Sequence, residues 1–130
     1  MNLIQLNVAL ILGYVFYGLT LLIHGLVLGR IIPYHLVNGG RSASFEAQKK
    51  VSVMSLGIAL LGIIFIALNH VFPNLHSTLV YGIIAWVLTA YWGLGYILQW
   101  LGTWLEKYVI SWVLIMGILS HLILGILAFR

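Results

Sequence analysis

Residues 51–105 read VSVMSLGIALLGIIFIALNHVFPNLHSTLVYGIIAWVLTAYWGLGYILQWLGTWL, and no Asp, Glu, Lys or Arg occurs in that run. Placing one ionised side chain at a bilayer centre costs at least ~3 kcal/mol, so charge-free runs of this length are what hydrocarbon selects. Residues 1–29 and 108–129 are equally free of charge. A water-soluble fold needs solvated faces on these segments, and the sequence supplies none. The reading is an all-α integral membrane protein.

A spanning helix needs about 20 apolar residues. About four spans therefore use nearly all of the 130 residues, of which 63% are hydrophobic and 6% charged. The expected organisation is a single membrane domain over 1–130, with helices at about 3–29, 51–68, 77–101 and 109–129. Arg30 and Pro33 close the first helix, and Asn38-Gly39-Gly40 marks a turn in the polar segment 30–50. Ser42 or Ser44 caps the second helix with Glu46 in its first turn. Asn69, Pro73 and Asn74 interrupt the apolar run before the third, and Glu106-Lys107 precede the fourth. The first apolar run is longer than a signal-peptide core and is followed by no small-residue cleavage site, so it reads as a retained helix.

Orientation follows from the basic residues. Arg30, Arg41, Lys49 and Lys50 lie between helices 1 and 2, Lys107 lies between helices 3 and 4, and Arg130 stands alone at the other end. The positive-inside rule puts both basic turns in the cytoplasm and both termini outside, in a multi-pass protein of the plasma membrane. The four basic residues of segment 30–50 are positioned to attract anionic lipid headgroups. The same segment lacks the Gly-Lys-Ser/Thr ending of a phosphate loop, and the net charge of +4 reports these flanks rather than a nucleic-acid surface.

Small residues recur on helical seams. Tyr14, Gly18, Leu21, Gly25, Leu28 and Arg30 reappear 77 positions later as Tyr91, Gly95, Leu98, Gly102, Leu105 and Lys107. This suggests two parallel αα-hairpin repeats about an axis along the membrane normal. Ser55, Ala59 and Gly62 in helix 2 keep the same 3.5-residue rhythm, as does Gly117 with His121 in helix 4, where Gly125 follows. That rhythm predicts a compact four-transmembrane-helix bundle with left-handed packing and crossing angles near +20°. Small seams let backbones approach closely, which is how lipid-embedded helices associate.

The chemistry-bearing residues are sparse. No carboxylate lies within a span, which argues against proton- or sodium-coupled transport. Length and span count resemble those of the small multidrug-resistance transporters, but the first-helix glutamate of that family has no counterpart here. Cysteine is absent, which removes thiol redox chemistry and thiolate metal sites. His70 and His76 share a turn, yet no third ligand accompanies them, so no metal is expected. His24 lies six residues before Arg30 and His121 fourteen after Lys107. These are depths of about 9 and 21 Å from the same end, too unequal for one haem.

Two polar stripes remain. One is Thr89, Trp92, Tyr96, Gln99 and Thr103 in helix 3; the other is Tyr17, Thr20 and His24 in helix 1. Polar side chains in hydrocarbon seek partners or water, so these face the bundle or a shared interface. With His121 they are candidate contacts of a permeation path or ligand. Interhelical hydrogen bonding, with an aromatic belt at Trp100 and Trp104, is the plainer alternative.

The leading expectation is a non-enzymatic, homo-oligomeric channel or uncoupled transporter for an ion or small solute. A non-catalytic accessory, anchor or immunity subunit bound to a membrane protein partner comes second. A haem- or lipid-binding membrane redox protein or enzyme comes third. No cofactor is expected. The purified protein should accordingly show no visible absorbance band; a haem or flavin spectrum would overturn that reading.

Overall fold

Four long helices result, each long and apolar enough to cross a membrane. The structure is a computed structural model that describes residues 3–130. Helix α1 spans Leu3–Leu28, α2 Phe45–Val71 and α3 Leu79–Trp100. Helix α4 covers Ser111–Ala128 and is entered through a π-helical turn at Glu106–Ile110.

Local sequence explains where each helix starts and stops. At the end of α1 the Arg30 N–H bonds the Val27 carbonyl and the Ile31 N–H bonds the Leu26 carbonyl. This is the Schellman pattern, with Arg30 at φ +60° in the position glycine usually takes. Ser44 caps α2 by accepting the Ala47 N–H at 3.2 Å, so α2 begins at Phe45 instead of the expected 51. The lysine pair that suggested a loop lies on the exposed side of its first turns. Thr78 caps α3 by accepting the Tyr81 N–H. The last helix also starts earlier than 109, because Thr103 and Glu106 form a capping box.

Helix α1 packs against α2 and α4, and α4 packs against α3. The centre is built by large rings set on glycines. A Cβ on Gly62 would stand 2.1 Å from the Tyr17 ring, and one on Gly117 would stand 2.7 Å from the Phe16 ring. Phe16 and Tyr17 are neighbours, and successive helical residues point about 100° apart. One ring therefore fits α4 and the other α2. Ser120 on α4 donates to the Ala9 carbonyl at 2.7 Å, beside Gly13, where a Cβ would meet Ile66 and Ser120 at 2.8 Å. Gly125 receives Trp86, and Gly82 faces Ala128 and Phe129, which joins α3 to α4. Ala59 is fully buried.

The seam glycines do not all serve this purpose. Nothing lies within 4 Å of a Cβ placed on Gly18 or Gly25, so neither is a close-approach position between helices of this chain. Both stand exposed on the outer side of α1. Gly95 meets only Leu114, at 3.9 Å, and Gly102 faces Glu106 rather than a neighbouring helix.

Gly62→Val would drive branched carbons into the Tyr17 ring and is expected to destabilise the fold by about 1–3 kcal/mol or more. Gly57→Val, on the same helix with nothing within 4 Å, is the matched control. Thermal unfolding in detergent should separate the two; equal midpoints would contradict the ring-on-glycine core.

Candidate functional site: a cleft between α2 and α3

Helices α2 and α3 meet at one end and part at the other. At the end away from the basic turns Phe65 and Tyr81 stack at 4.2 Å with planes 5° apart. The Tyr81 hydroxyl donates to the Phe65 carbonyl at 3.2 Å and accepts from Asn69 Nδ2 at 2.5 Å. Toward the basic end the helices separate around a cleft of about 490 Å³, floored by α1 and α4. That volume lies within the range of small-ligand pockets. Its rim residues Met54 on α2 and Leu94 on α3 are 61% and 63% exposed, so the cleft opens sideways between the two helices.

The basic end of the cleft is polar. Asn38 Nδ2 donates to Ser42 Oγ at 3.3 Å, and Ser42 Oγ donates to Gln48 Oε1 at 2.6 Å. Gln48 Nε2 donates to Ser52 Oγ at 3.1 Å, and Ser52 Oγ lies 3.1 Å from His24 Nδ1. The Ser52 hydroxyl thus joins Gln48 to His24, since one oxygen has a proton to give and two lone pairs to accept with. Gln48 is 0% exposed, and this chain of bonds is what makes its burial tolerable.

The loop closing that end is clamped by one carboxylate. Glu106 is 3% exposed. Its oxygens accept the Gly39 N–H at 2.8 and 3.1 Å and the Thr103 N–H at 2.8 Å. The Thr103 hydroxyl accepts the Glu106 N–H and donates to the Leu36 carbonyl. Gly39 reaches the carboxylate from a left-handed turn, with φ +52° at Asn38, +65° at Gly39 and +69° at Gly40. Glycine and asparagine tolerate that conformation. Gly102 leaves room for the carboxylate, since a Cβ there would sit 2.0 Å from Oε2. The negative charge also lies in the first turn of the last helix, where the backbone dipole favours it.

The sequence candidates divide between this cleft and elsewhere. Thr20, His24, Trp92, Gln99, Ser55, Gly95 and Arg41 line it. Thr20 and Ser55 turn their hydroxyls back onto the Phe16 and Val51 carbonyls of their own helices. Gln99 Oε1 and the Trp92 indole nitrogen are buried without a hydrogen-bond partner. Tyr17 and His121 are not cleft residues. His121 is 0% exposed, and its Nδ1 lies 2.6 Å from the Gly117 carbonyl, which can only accept. Nδ1 therefore carries the proton, and Nε2 accepts the Tyr17 hydroxyl at 3.0 Å. His24 and His121 thus belong to separate networks. The helix 3 stripe is also split. Thr89 bonds back to the Ala85 carbonyl, Tyr96 packs near Trp100, and Thr103 serves the clamp.

Of the basic residues, Arg30 stacks over the Phe45 ring at 4.3 Å, and Lys49 and Lys50 are exposed. Arg41 Nε donates to the Asn38 carbonyl at 3.1 Å, which fixes its guanidinium at the cleft mouth. Sequence reading overlooked Gln48, Asn38, Ser42 and the clamp role of Glu106. Two signals were available: the Gln48/Ser52 pair at i, i+4, and Thr103-Trp104-Leu105-Glu106, which has the spacing of a capping box. Among the described residues no three His, Asp or Glu side chains are gathered as metal ligands.

No protein-family model, no curated protein and no solved structure matches this chain.

Glu106→Gln turns one acceptor into an N–H2 that faces N–H donors. It is expected to cost about 1–3 kcal/mol and to expose loop 30–44 to proteolysis. Thr103→Ala should act in the same direction, and the double variant should fall short of the sum, because both belong to one network. Additive effects in thermal unfolding would contradict the clamp.

Proposed function

We propose that this protein is a small uncoupled transporter, working as a homo-oligomer, whose cleft between α2 and α3 is the solute-entry site. The observation that supports it most is the cleft's asymmetry. It is polar at the basic end, opens sideways between α2 and α3, and is closed at the other end by the Tyr81, Phe65 and Asn69 contacts. A carrier needs a site that reaches one side at a time, whereas a channel needs a continuous path. The centre of this protomer is filled by Phe16, Tyr17, Trp92 and His121 in ring contact. A carrier thus suits the single chain better than a channel, and a channel would have to form between copies. Coupling to a proton or sodium gradient is not part of the proposal, since the only carboxylate at the cleft is saturated by backbone N–H groups.

A second reading, an accessory subunit, draws on the exposed aromatic side chains of α3, α4 and the turn between them. Trp86, Trp104, Tyr108 and Trp112 are all among the exposed large side chains. Co-purification of one stoichiometric membrane partner, with no intrinsic flux, would favour it.

The test uses the purified full chain in liposomes, with light-scattering relaxation after osmotic shocks of glycerol, urea and potassium chloride. At least one probe should equilibrate faster than in protein-free vesicles. Gln99→Leu should slow that probe roughly fivefold, the scale of one lost hydrogen bond. Gly57→Leu, on the outer face of α2, should not. Folded protein that accelerates none of the three probes overturns the proposal.

A further inference from the structure

The cleft is graded in polarity along its length, and the gradient runs the same way as that of a lipid leaflet. Gln48 in the first turn of α2, Gln99 in the last turn of α3 and His24 four residues from the end of α1 lie at the basic end. Thr20 and Ser55 lie deeper and turn their hydroxyls back onto their own helices. Deeper in, Met54 and Ile58 on α2 face Leu94 and Leu98 on α3 across an apolar trough. Met54, Leu94 and Leu98 are exposed, so the trough communicates sideways with whatever surrounds the bundle. In a membrane that surrounding is acyl chain.

Charge at the polar end selects the kind of head. Arg30, Arg41, Lys49, Lys50 and Lys107 lie at this end against Glu46 and Glu106. Glu46 is exposed on the first turn of α2, and Glu106 is occupied by the Gly39 and Thr103 N–H groups. Arg41, anchored through Nε, is the basic side chain that lines the cleft. A guanidinium fork matches phosphate or carboxylate oxygens, and it does so better than an ammonium. Gln99 Oε1 adds an independent pointer, because it is buried without a partner in the same cleft. An unpartnered carboxamide atom of a half-buried glutamine gains from a polar group of a ligand, whichever way the amide is turned.

We propose that the cleft binds one anionic amphiphile from the surrounding leaflet, with its phosphate- or carboxylate-bearing head at Arg41 and Gln99 and its chain along Met54, Ile58, Leu94 and Leu98. Like the transport reading, this rests on the cleft being a ligand site, but it requires no flux. It differs from general attraction of headgroups to the basic flanks, which would be shared by every cation at this end and would ignore the trough.

The experiment is native mass spectrometry of the full chain released from vesicles of phosphatidylcholine with a minor fraction of phosphatidylglycerol. One phosphatidylglycerol per protomer should be retained above its bulk share. Arg41→Gln should lower that enrichment about tenfold, the scale of a lost charge-assisted hydrogen bond. Met54→Trp, which fills the trough from its exposed rim and leaves every charge in place, should lower it comparably, with Leu98→Trp as the second variant if the first fails to fold. Lys50→Gln removes the same charge outside the cleft and should change enrichment less than about twofold. Equal losses in Arg41→Gln and Lys50→Gln overturn the proposal in favour of a diffuse headgroup layer. Displacement of the lipid by inorganic phosphate, with Met54→Trp binding normally, overturns it in favour of a free-anion site. Flux lost with lipid retention intact would count against transport alone; retention lost with flux intact would count against this inference alone.

Discussion

Two adjacent rings on α1 set the geometry that everything else depends on. Phe16 and Tyr17 point about 100° apart, and each needs a glycine on the facing helix to receive it. In hydrocarbon there is no apolar driving force between helices, so close packing and internal hydrogen bonds must hold them. The Tyr17 ring on Gly62 supplies the first between α1 and α2. Its hydroxyl, donating to His121, supplies the second between α1 and α4. One side chain therefore ties three helices, and the proton on His121 Nδ1 is fixed by the Gly117 carbonyl so that Nε2 is free to accept.

The cleft follows from that arrangement. With α1 between α2 and α4, α3 packs on α4, and its Trp92 meets Phe16 edge-on at 4.9 Å. Helices α2 and α3 touch where the phenol of Tyr81 stacks on Phe65 and bonds Asn69. Everything toward the basic end is left open, and the polar chain from Asn38 to His24 occupies part of what remains. The Glu106 clamp then determines how far the loop can spread, since it binds Gly39 and the start of the last helix to one carboxylate.

Much of the fold was legible in the sequence because each of the four helices is long and apolar enough to cross a membrane. The four helices and the seam positions Ala59, Gly62, Gly117 and Gly125 were readable on that basis. What periodicity does not carry is the identity of the neighbour. Gly18 and Gly25 share the rhythm of Gly62 and Gly117 yet stand exposed, because an apolar outside and an apolar inside have the same composition. The cleft was legible only in fragments for the same reason. Thr20, His24, Trp92 and Gln99 could be named, but the stripe Thr89 to Thr103 does not face one surface, and Gln48 was hidden by treating the lysines beside it as the helix boundary. Glu106 was visible as a charge at a border; the Thr-x-x-Glu spacing that makes it a clamp was the unused signal.

The internal correspondence between helices 1 and 3 has a different meaning in space than in sequence. A two-fold relation between hairpins would make the α1–α4 and α3–α2 interfaces equivalent. The first is tightly packed and the second is the cleft. Tyr14 and Tyr17 turn toward α2, where they meet His70 and Gly62. Their counterparts 77 positions on, Tyr91 and Leu94, are half or more exposed at the cleft rim. An apolar face turned outward costs nothing in lipid, so α3 can rotate away from α2 without the penalty that water would exact. Where α1 keeps Leu22 facing outward, α3 has Gln99 facing the cleft. The polar divergence and the opened interface are thus the same change, since a carboxamide at that position is tolerable only beside a space that a polar partner can enter.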